Sequence, residues 1–309
     1  MKIEDIASVH LGKAGDGSVV KPYVTPTIVT PSLLVPIPRS LNRLQYDLSD
    51  ANLPFVGYDV WNAYEFSTLL DNGYPLSGVL RIAYPASSPN IVESKSLKLY
   101  LNSYNMFKAG KTATEAANFV EMMVKFDLCN ILGPNVSVKL HTYEVFVEPP
   151  LSVPGYAGDL DNYYYEGEQF TDYSENPDLL EVTPYVDDKT APEYVYSHSL
   201  RSNCRVTNQP DWGDVHIFYR AKQFIPRALI LKYIVSMRNE NHFHEEVTEC
   251  IYTRLWQKLQ PEELLVACLY TRRGGIDINP VRASSPDVLE KFAGNLINTS
   301  ILNRKTMRQ

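Results

Sequence analysis

Residues 112–147 read TATEAANFVEMMVKFDLCNILGPNVSVKLHTYEVFV, and the change of period inside this stretch decides the fold class. Thr112-x-x-Glu115 has the spacing of a capping box, in which the two side chains satisfy free amides at a helix start. Phe119, Met122, Met123 and Phe126 follow at helical spacing and are expected on the buried face. Val136, Val138, Leu140 and Thr142 then alternate with polar residues and merge into Val145-Phe146-Val147, a strand. Upstream, Gly78 to Tyr84 reads as a strand, and Leu97 to Tyr104 as another. A similar order recurs near the other end. Val215, Ile217 and Tyr219 alternate as a strand, and Pro226 suits the first position of a helix. Ile230, Tyr233, Ile234 and Met237 form one helical face; Val247, Cys250, Ile251 and Leu255 form a second. Pro261 ends that helix, and Leu264 to Tyr270 reads as a closing strand. Strands around a helix pair, twice over, predict an α+β fold of two modules, with antiparallel sheets and paired helices. No residue-level repeat accompanies the repeated order.

The 309 residues have room for two such modules, and 44% hydrophobic with 21% charged residues is the composition of a globular core. Disordered, collagen-like and coiled-coil classes are excluded, and no apolar run approaches the ~18–20 residues of a membrane span. Met1 to Lys13 lacks the basic-then-apolar pattern of a signal peptide. Four cysteines (Cys129, Cys204, Cys250, Cys268) without a C-x-x-C pair predict reduced thiols in a cytoplasmic protein, with no metal. The net charge of −7 is unevenly spread. Between Glu148 and Glu193 stand twelve acids and one base, Lys189; the rest of the chain keeps 24 of its 36 acids and 28 of its 29 bases. That mildly basic remainder suits a small phosphorylated ligand, and equally a mixed solvated surface. The division expected is an arm over 1–43, a module over 44–147, an acidic connection over 148–195 and a second module over 196–309. The connection is rich in Tyr and Pro, including Tyr163-Tyr164-Tyr165, and is expected to run extended with some edge-strand character. Pro22 to Arg43 is expected to lie over the surface.

Cys204 stands in Ser202-Asn203-Cys204-Arg205-Val206-Thr207-Asn208-Gln209-Pro210-Asp211-Trp212, a polar segment read as a loop. Arg201 and Arg205 flank it, and a nearby cation lowers a thiol pKa. Asp211 follows after a proline turn and could move protons beside the sulfur. By pattern alone this is either an activated nucleophile or an incidental loop cysteine with a turn aspartate. Cys129, Cys250 and Cys268 fall on apolar faces and read as core. His242-Phe243-His244-Glu245-Glu246 opens a helix. A metal reading is weak, because no second ligand cluster accompanies it. The acids favour the helix dipole, or one of them could accept two parallel hydrogen bonds from an amidine-like base edge. Glu93-Ser94-Lys95-Ser96-Leu97-Lys98 is read as a charged strand entry whose lysines suit phosphate. Arg272-Arg273-Gly274-Gly275, at a strand end, combines donors with close backbone approach. Neither a Rossmann G-x-G-x-x-G nor a P-loop is present.

Taken in order, these segments resemble the NADPH-dependent 7-cyano-7-deazaguanine reductases, the nitrile reductases of queuosine biosynthesis, in their long two-module form. The resemblance is carried by Glu93-Ser94-Lys95-Ser96-Leu97-Lys98-Leu99-Tyr100, Ser202-Asn203-Cys204 with Gln209-Pro210-Asp211-Trp212-Gly213, Phe243-His244-Glu245, and Tyr270-Thr271-Arg272-Arg273-Gly274-Gly275 with Asp277-Ile278-Asn279-Pro280. Leu11-Gly12-Lys13 and Pro36-x-Pro38-Arg39-Ser40-x-Asn42-Arg43 also fit the long form. The resemblance implies two tandem tunnelling-fold modules whose barrel is completed by oligomerisation, as a homodimer. It implies reduction of the nitrile to 7-aminomethyl-7-deazaguanine with two NADPH, through a covalent thioimide. Cys204 maps to the nucleophile and Asp211 to the proton donor, with His244 as a further catalytic group. Val92, Glu93, Ser94, His244 and Glu245 map to substrate contacts; Ser94, Lys95, Arg273 and Gly274 map to cofactor contacts. It implies no nucleic-acid or membrane partner. Arg205 departs from the family pattern, which has an apolar residue or proline there, and Val281 stands where tryptophan is common.

Two other classes fit the same residues. One is a cysteine hydrolase of a deazapurine nitrile or amide, using Cys204 and His244 without NADPH. The other is a non-catalytic purine- or pterin-binding protein of the same fold. A zinc cyclohydrolase is disfavoured for want of clustered ligands.

Overall fold

A computed structural model of the chain describes residues 28–142, 147–152, 158–162, 169–186, 189–205, 208–306 and 309. Leu11-Gly12-Lys13, Val145-Phe146, Tyr163-Tyr164-Tyr165 and Val206-Thr207 lie outside the described residues. The long elements are β1 (Val56–Leu70), β2 (Pro75–Pro85), α1 (Ser94–Asn102), α2 (Ala113–Leu132), β3 (Ser137–His141), β4 (Ala191–Asn203), β5 (Pro210–Ala221), α3 (Arg227–Ser236), α4 (His244–Leu259), β6 (Glu263–Tyr270), β7 (Ile276–Ala283) and α5 (Pro286–Ile297). The architecture is mixed α+β. The strands pair antiparallel in the order β3-β2-β1-β7-β6-β5-β4. Each half contributes two strands, two helices and a return to the sheet. The halves join where β7 lies against β1, with Ile278 opposite Trp61 and Ile276 opposite Ala63.

Alternation along the strands sends successive side chains to opposite faces. On one face, Trp61, Leu80 and Ile82 pack against Leu97 and Tyr100 of α1 and Val120 and Val124 of α2. On the same face of the other half, Ile217, Val266 and Cys268 pack against Ile230 and Ile234 of α3 and Val247 and Ile251 of α4. The opposite face, with Val60, Phe218, Leu265 and Val281, is covered by Val288, Leu289 and Phe292 of α5. The register places Val266 opposite Arg282, so the even-numbered residues of β7, Ile276 and Ile278 included, share the face that carries both helix pairs. The cleft between those pairs therefore has the β1–β7 seam as its floor.

Three expectations are corrected. Leu97 to Tyr104 lies mostly in α1, not in a strand. Glu93 caps α1 by accepting Lys95 N at 2.9 Å and Ser96 N at 2.7 Å. Leu97, Tyr100, Leu101 and Tyr104 are buried at i, i+3, i+4 and i+7, a helical stripe. On α2 the buried face is Ala116, Val120, Val124, Leu128 and Leu132. Phe119 and Met123 are half-buried, whereas Met122 and Phe126 are exposed at 60% and 61%. Small and branched residues, not the bulkiest ones, let the helix sit close to the sheet. Leu128→Ala is accordingly expected to destabilise the protein by about 2–5 kcal/mol and Met122→Ala by less than about 0.5 kcal/mol in denaturant melts. Equal losses would contradict this face. Finally, the end of the proline-rich arm is not superficial. Residues 36–38 pair with 90–92, and Arg39 and Arg43 are 5% and 2% exposed.

Smaller differences concern limits. Thr112 caps α2 as expected, its side chain accepting Glu115 N. Pro226 is the N-cap of α3 rather than its first residue. The faces of α3 and α4 are as expected: Ile230, Tyr233, Ile234, Met237, Val247, Cys250, Ile251 and Leu255 are all fully buried. The acidic connection touches the sheet through residues 158–159, which run parallel to β4. Its Glu175 pairs with Arg254 of α4 at 3.0 Å. Cys250 and Cys268 lie in the core, where burial pushes both thiols up to about 12. Cys129 is half-buried at the edge of the α2 core.

Candidate active site

The cleft between the helix pairs holds a cavity of about 570 Å³. Every residue singled out from the sequence for catalysis or binding lines it. Val92, Glu93, Ser94 and Lys95 arrive on the turn into α1. Cys204 and Asp211 come from the two ends of the β4–β5 loop, His244 and Glu245 from the first turn of α4, and Arg273 and Gly274 from the β6–β7 turn. Trp61, Ile276 and Ile278 make an apolar floor that the sequence reading did not find, because β1 and the β1–β7 seam were not recognised. The alternation of Val60-Trp61-Asn62-Ala63 was the available signal.

Cys204 is partly exposed at the end of β4. Its amide donates to Gln209 O at 2.8 Å and its carbonyl accepts from Asn208 N at 2.9 Å. Asn208 adopts the left-handed conformation, at φ 55°, that closes this tight loop. Asp211 is 4% exposed and lies between Arg273 and His244. Arg273 Nη1 donates to its Oδ1 at 2.5 Å, and His244 Nε2 is 3.4 Å from its Oδ2. Burial disfavours the charged carboxylate, but the His244 and Arg273 contacts outweigh it and hold the pKa below the ordinary range. Asp211 is therefore a carboxylate at neutral pH. The His244 ring stacks on Tyr270 with centroids 3.8 Å apart, and its Nδ1 is buried without a partner.

Glu245 is the opposite case. It is 3% exposed, and its Oε1 has no hydrogen-bond partner. Burial, then repulsion from Asp59, pushes its pKa up to about 8. Its neighbours explain why. Arg282 bonds Asp59 at 2.8 Å and Glu249 at 3.0 Å, Arg43 bonds Glu249 at 2.7 Å, and Arg39 bonds Asp59. These pairings hold Asp59 and Glu249 ionised against burial. The arginines are thus committed to other carboxylates, and Glu245 faces the cavity unpaired. A buried acceptor of this kind is completed by a ligand that brings N–H donors.

The cavity mouth is basic. Lys95 and Lys98 of α1 and Arg273 line it, at an α1 start whose Lys95 and Ser96 amides are capped by Glu93. Gly274 lies at φ 57°, and a Cβ there would come within 3.2 Å of the Lys98 side chain. Gly275 follows at φ 79°, where a Cβ would overlap Glu65. The pair of glycines keeps the turn against α1, the position a bound phosphate group would share. The Arg205 side chain is exposed at 37%, and Glu246 accepts from it. Among the described residues, no group of three or more His, Cys, Asp or Glu is placed to hold a metal ion, and no helix is long and apolar enough to cross a membrane.

Residues 26–140 match the family described as "Nitrile reductase, 7-cyano-7-deazaguanine-reductase N-term", and residues 210–287 match "QueF-like protein". A protein of Dechloromonas aromatica named NADPH-dependent 7-cyano-7-deazaguanine reductase is 44% identical over 258 residues, covering 82% of this chain and 85% of its own length. Proteins of the same name from Coxiella burnetii and Colwellia psychrerythraea are 40% and 42% identical, covering 86% and 82% of this chain and 91% and 87% of their own. Similarity of this extent runs through both halves of the chain and across the cavity they share, and on it the chain belongs to the NADPH-dependent 7-cyano-7-deazaguanine reductase family.

Proposed function

We propose that this protein reduces the nitrile of 7-cyano-7-deazaguanine to the primary amine of 7-aminomethyl-7-deazaguanine, with NADPH as reductant, in the queuosine pathway of tRNA modification. The observation that carries the reading is the meeting of the Cys204 thiol, an ionised Asp211 and an unpaired buried Glu245 in one cavity. A nitrile carbon accepts hydride poorly until a nucleophile has added. The Cys204 sulfur adds to that carbon while the Asp211 carboxylate takes the thiol proton and passes it to the nitrile nitrogen. The product is a thioimide, formed by addition of S–H across C≡N with no change in oxidation state. When bound, NADPH supplies one hydride to each of two successive reductions, four electrons in all. Between them the C–S bond breaks, leaving an imine and the free thiol. Asp211 again delivers protons to nitrogen, and His244 is the neighbour placed to recharge it. Val92, Glu93, Ser94, His244 and Glu245 hold the deazaguanine. Ser94, Lys95, Arg273 and Gly274 contact the cofactor, a role that the cationic side chains of Lys95 and Arg273 fit.

Glu245 receives the N–H edge of the base. Glu245→Gln should raise KM by about 10²-fold, because a charge-assisted pair of hydrogen bonds is replaced by a mismatched amide. The pH dependence has a definite sign. The free carboxyl titrates near pH 8, and the bound base favours its charged form, so binding releases a proton below that pH. Affinity should climb from pH 6 to 8 and level off above, read by titration calorimetry on Cys204→Ala to prevent covalent capture. A flat profile would remove Glu245 from the base edge.

The two halves are read as tandem tunnelling-fold modules over 44–147 and 196–309, joined by 148–195 and preceded by the arm over 1–43. A homodimer in the cytoplasm is proposed, supported by strand β3, which ends the sheet on one side; on the other, residues 158–159 pair along part of β4. The functional test is stoichiometric. Two NADPH oxidised per amine formed supports the reductase; nitrile hydrolysis without NADPH would move the assignment to the cysteine hydrolase, and binding with neither reaction to the non-catalytic protein.

A further inference from the structure

Arg205, next in sequence to Cys204, is tied to the helix that carries His244 and Glu245. Its Nη1 lies 2.9 and 3.0 Å from the two carboxylate oxygens of Glu246 and 3.1 Å from Asn42 Oδ1. Glu246 is only 7% exposed, and its Oε2 also accepts Phe243 N at 2.9 Å, closing the start of α4. Asn42 is 2% exposed and belongs to the short helix 40–43 of the N-terminal segment. One carboxylate thus holds both the first turn of α4 and the Cys204 loop. Elsewhere the loop is fastened by backbone, with Asn203 N donating to Glu240 O at 2.8 Å and His242 N to Asn203 O at 3.1 Å, and by Arg273, which donates to Gln209 Oε1.

We infer that the Arg205–Glu246 pair is a positioning tether that sets the distance between the Cys204 thiol and the base held by Glu245. Cys204 stands at the end of a strand, in a loop whose own closure is two backbone hydrogen bonds, so its position depends on what anchors that loop to its surroundings. Reaction of a thiol with a linear nitrile does not tolerate displacement, because the nucleophile must meet the carbon along one narrow approach. Arg205 restricts the loop from the residue adjoining the nucleophile. It does so through one guanidinium nitrogen, Nη1, shared between the mostly buried Glu246 carboxylate and Asn42 Oδ1. Arg205 touches no reacting atom. Its role in the chemistry rests on the reductase reading above, whereas the tether itself does not.

The test uses Arg205→Ala, Arg205→Lys, Glu246→Gln and the double variant Arg205→Ala/Glu246→Gln in the full chain. Hydrogen exchange at the amides of Cys204 and Asn208 reads the tether directly. Single-turnover thioimide formation without NADPH reads its consequence. Arg205→Ala should speed exchange at those two amides with α3 and β6 unchanged. It should also slow thioimide formation about tenfold with nitrile affinity within about twofold. Arg205→Lys should recover part of the rate, and the double variant should be no slower than Arg205→Ala alone, since the two side chains act as one pair. Unchanged exchange in Arg205→Ala, wild-type thioimide formation in that variant, or losses that multiply in the double variant would each overturn the inference. A wild-type protein that forms no thioimide would instead refute the proposed reaction, with the exchange data still deciding the tether.

Discussion

Cys204→Ala is expected to lower NADPH-dependent nitrile reduction by about 10⁴-fold or more while nitrile affinity stays within a few-fold. The size follows from what remains. Cys250 and Cys268 are fully buried, with thiols pushed up to about 12, and Cys129 sits at the edge of the α2 core, so none can substitute. Without sulfur addition the nitrile carbon must take hydride directly, and no other cysteine lines the cavity among the described residues. The base should still bind, because Glu245 and the Trp61–Ile278 floor are untouched. Turnover within tenfold of wild type would reject Cys204 as the nucleophile. Loss of binding together with turnover would show that the substitution had disturbed the pocket.

Asp211→Asn should reduce single-turnover thioimide formation by about 10²–10⁴-fold, the usual worth of a positioned proton-transfer group. Asparagine keeps the shape and can still accept from Arg273 through its carbonyl oxygen, but it cannot take the thiol proton. The pH behaviour of the wild type separates this role from a structural one. His244 and Arg273 hold the Asp211 carboxyl below its ordinary value of 3.8, so at saturating nitrile the loss due to Asp211 protonation should come only below that value. In Asp211→Asn that loss should vanish, and raising the pH should partly restore the rate by ionising the thiol without help. A variant with the wild-type acid limb would assign that limb to another group.

The two roles rest on one contrast. Asp211 and Glu245 are both buried carboxyls in the same cavity, yet their environments drive them apart. Arg273 and His244 compensate Asp211; around Glu245, Arg39, Arg43 and Arg282 are already taken by Asp59 and Glu249. A group held charged is suited to accept a proton, and one held near neutrality is suited to exchange it with a ligand.

Much of this was legible in the chain. The helical stripes of α3 and α4 are long and strictly periodic, so their buried faces could be assigned residue by residue. The short segments around Glu93, Cys204, His244 and Arg273 carry unusual side chains in unusual order, and they named the cavity's polar lining. Where the reading failed, the period was ambiguous. Leu97, Leu99 and Leu101 alternate as a strand would, and only the Glu93 cap and the burial of Tyr100 and Tyr104 show a helix. On α2 the largest apolar residues were taken for the inward face, although Met122 and Phe126 point outward.

The sequence by itself determined the element order of the second half, the mixed α+β class and, through the family resemblance of its short segments, which side chains line the cavity, because periodicity and motif are local properties. Tertiary structure alone decided that β7 pairs with β1 and so closes one cavity from residues more than a hundred positions apart. It alone decided that Arg39 and Arg43 leave the surface to neutralise Asp59 and Glu249, that Glu245 is thereby left unpaired, and that Arg205 turns to Glu246. These are outcomes of charge compensation in a buried space, where each carboxylate's state depends on which cations its neighbours have already claimed. No local pattern encodes that competition.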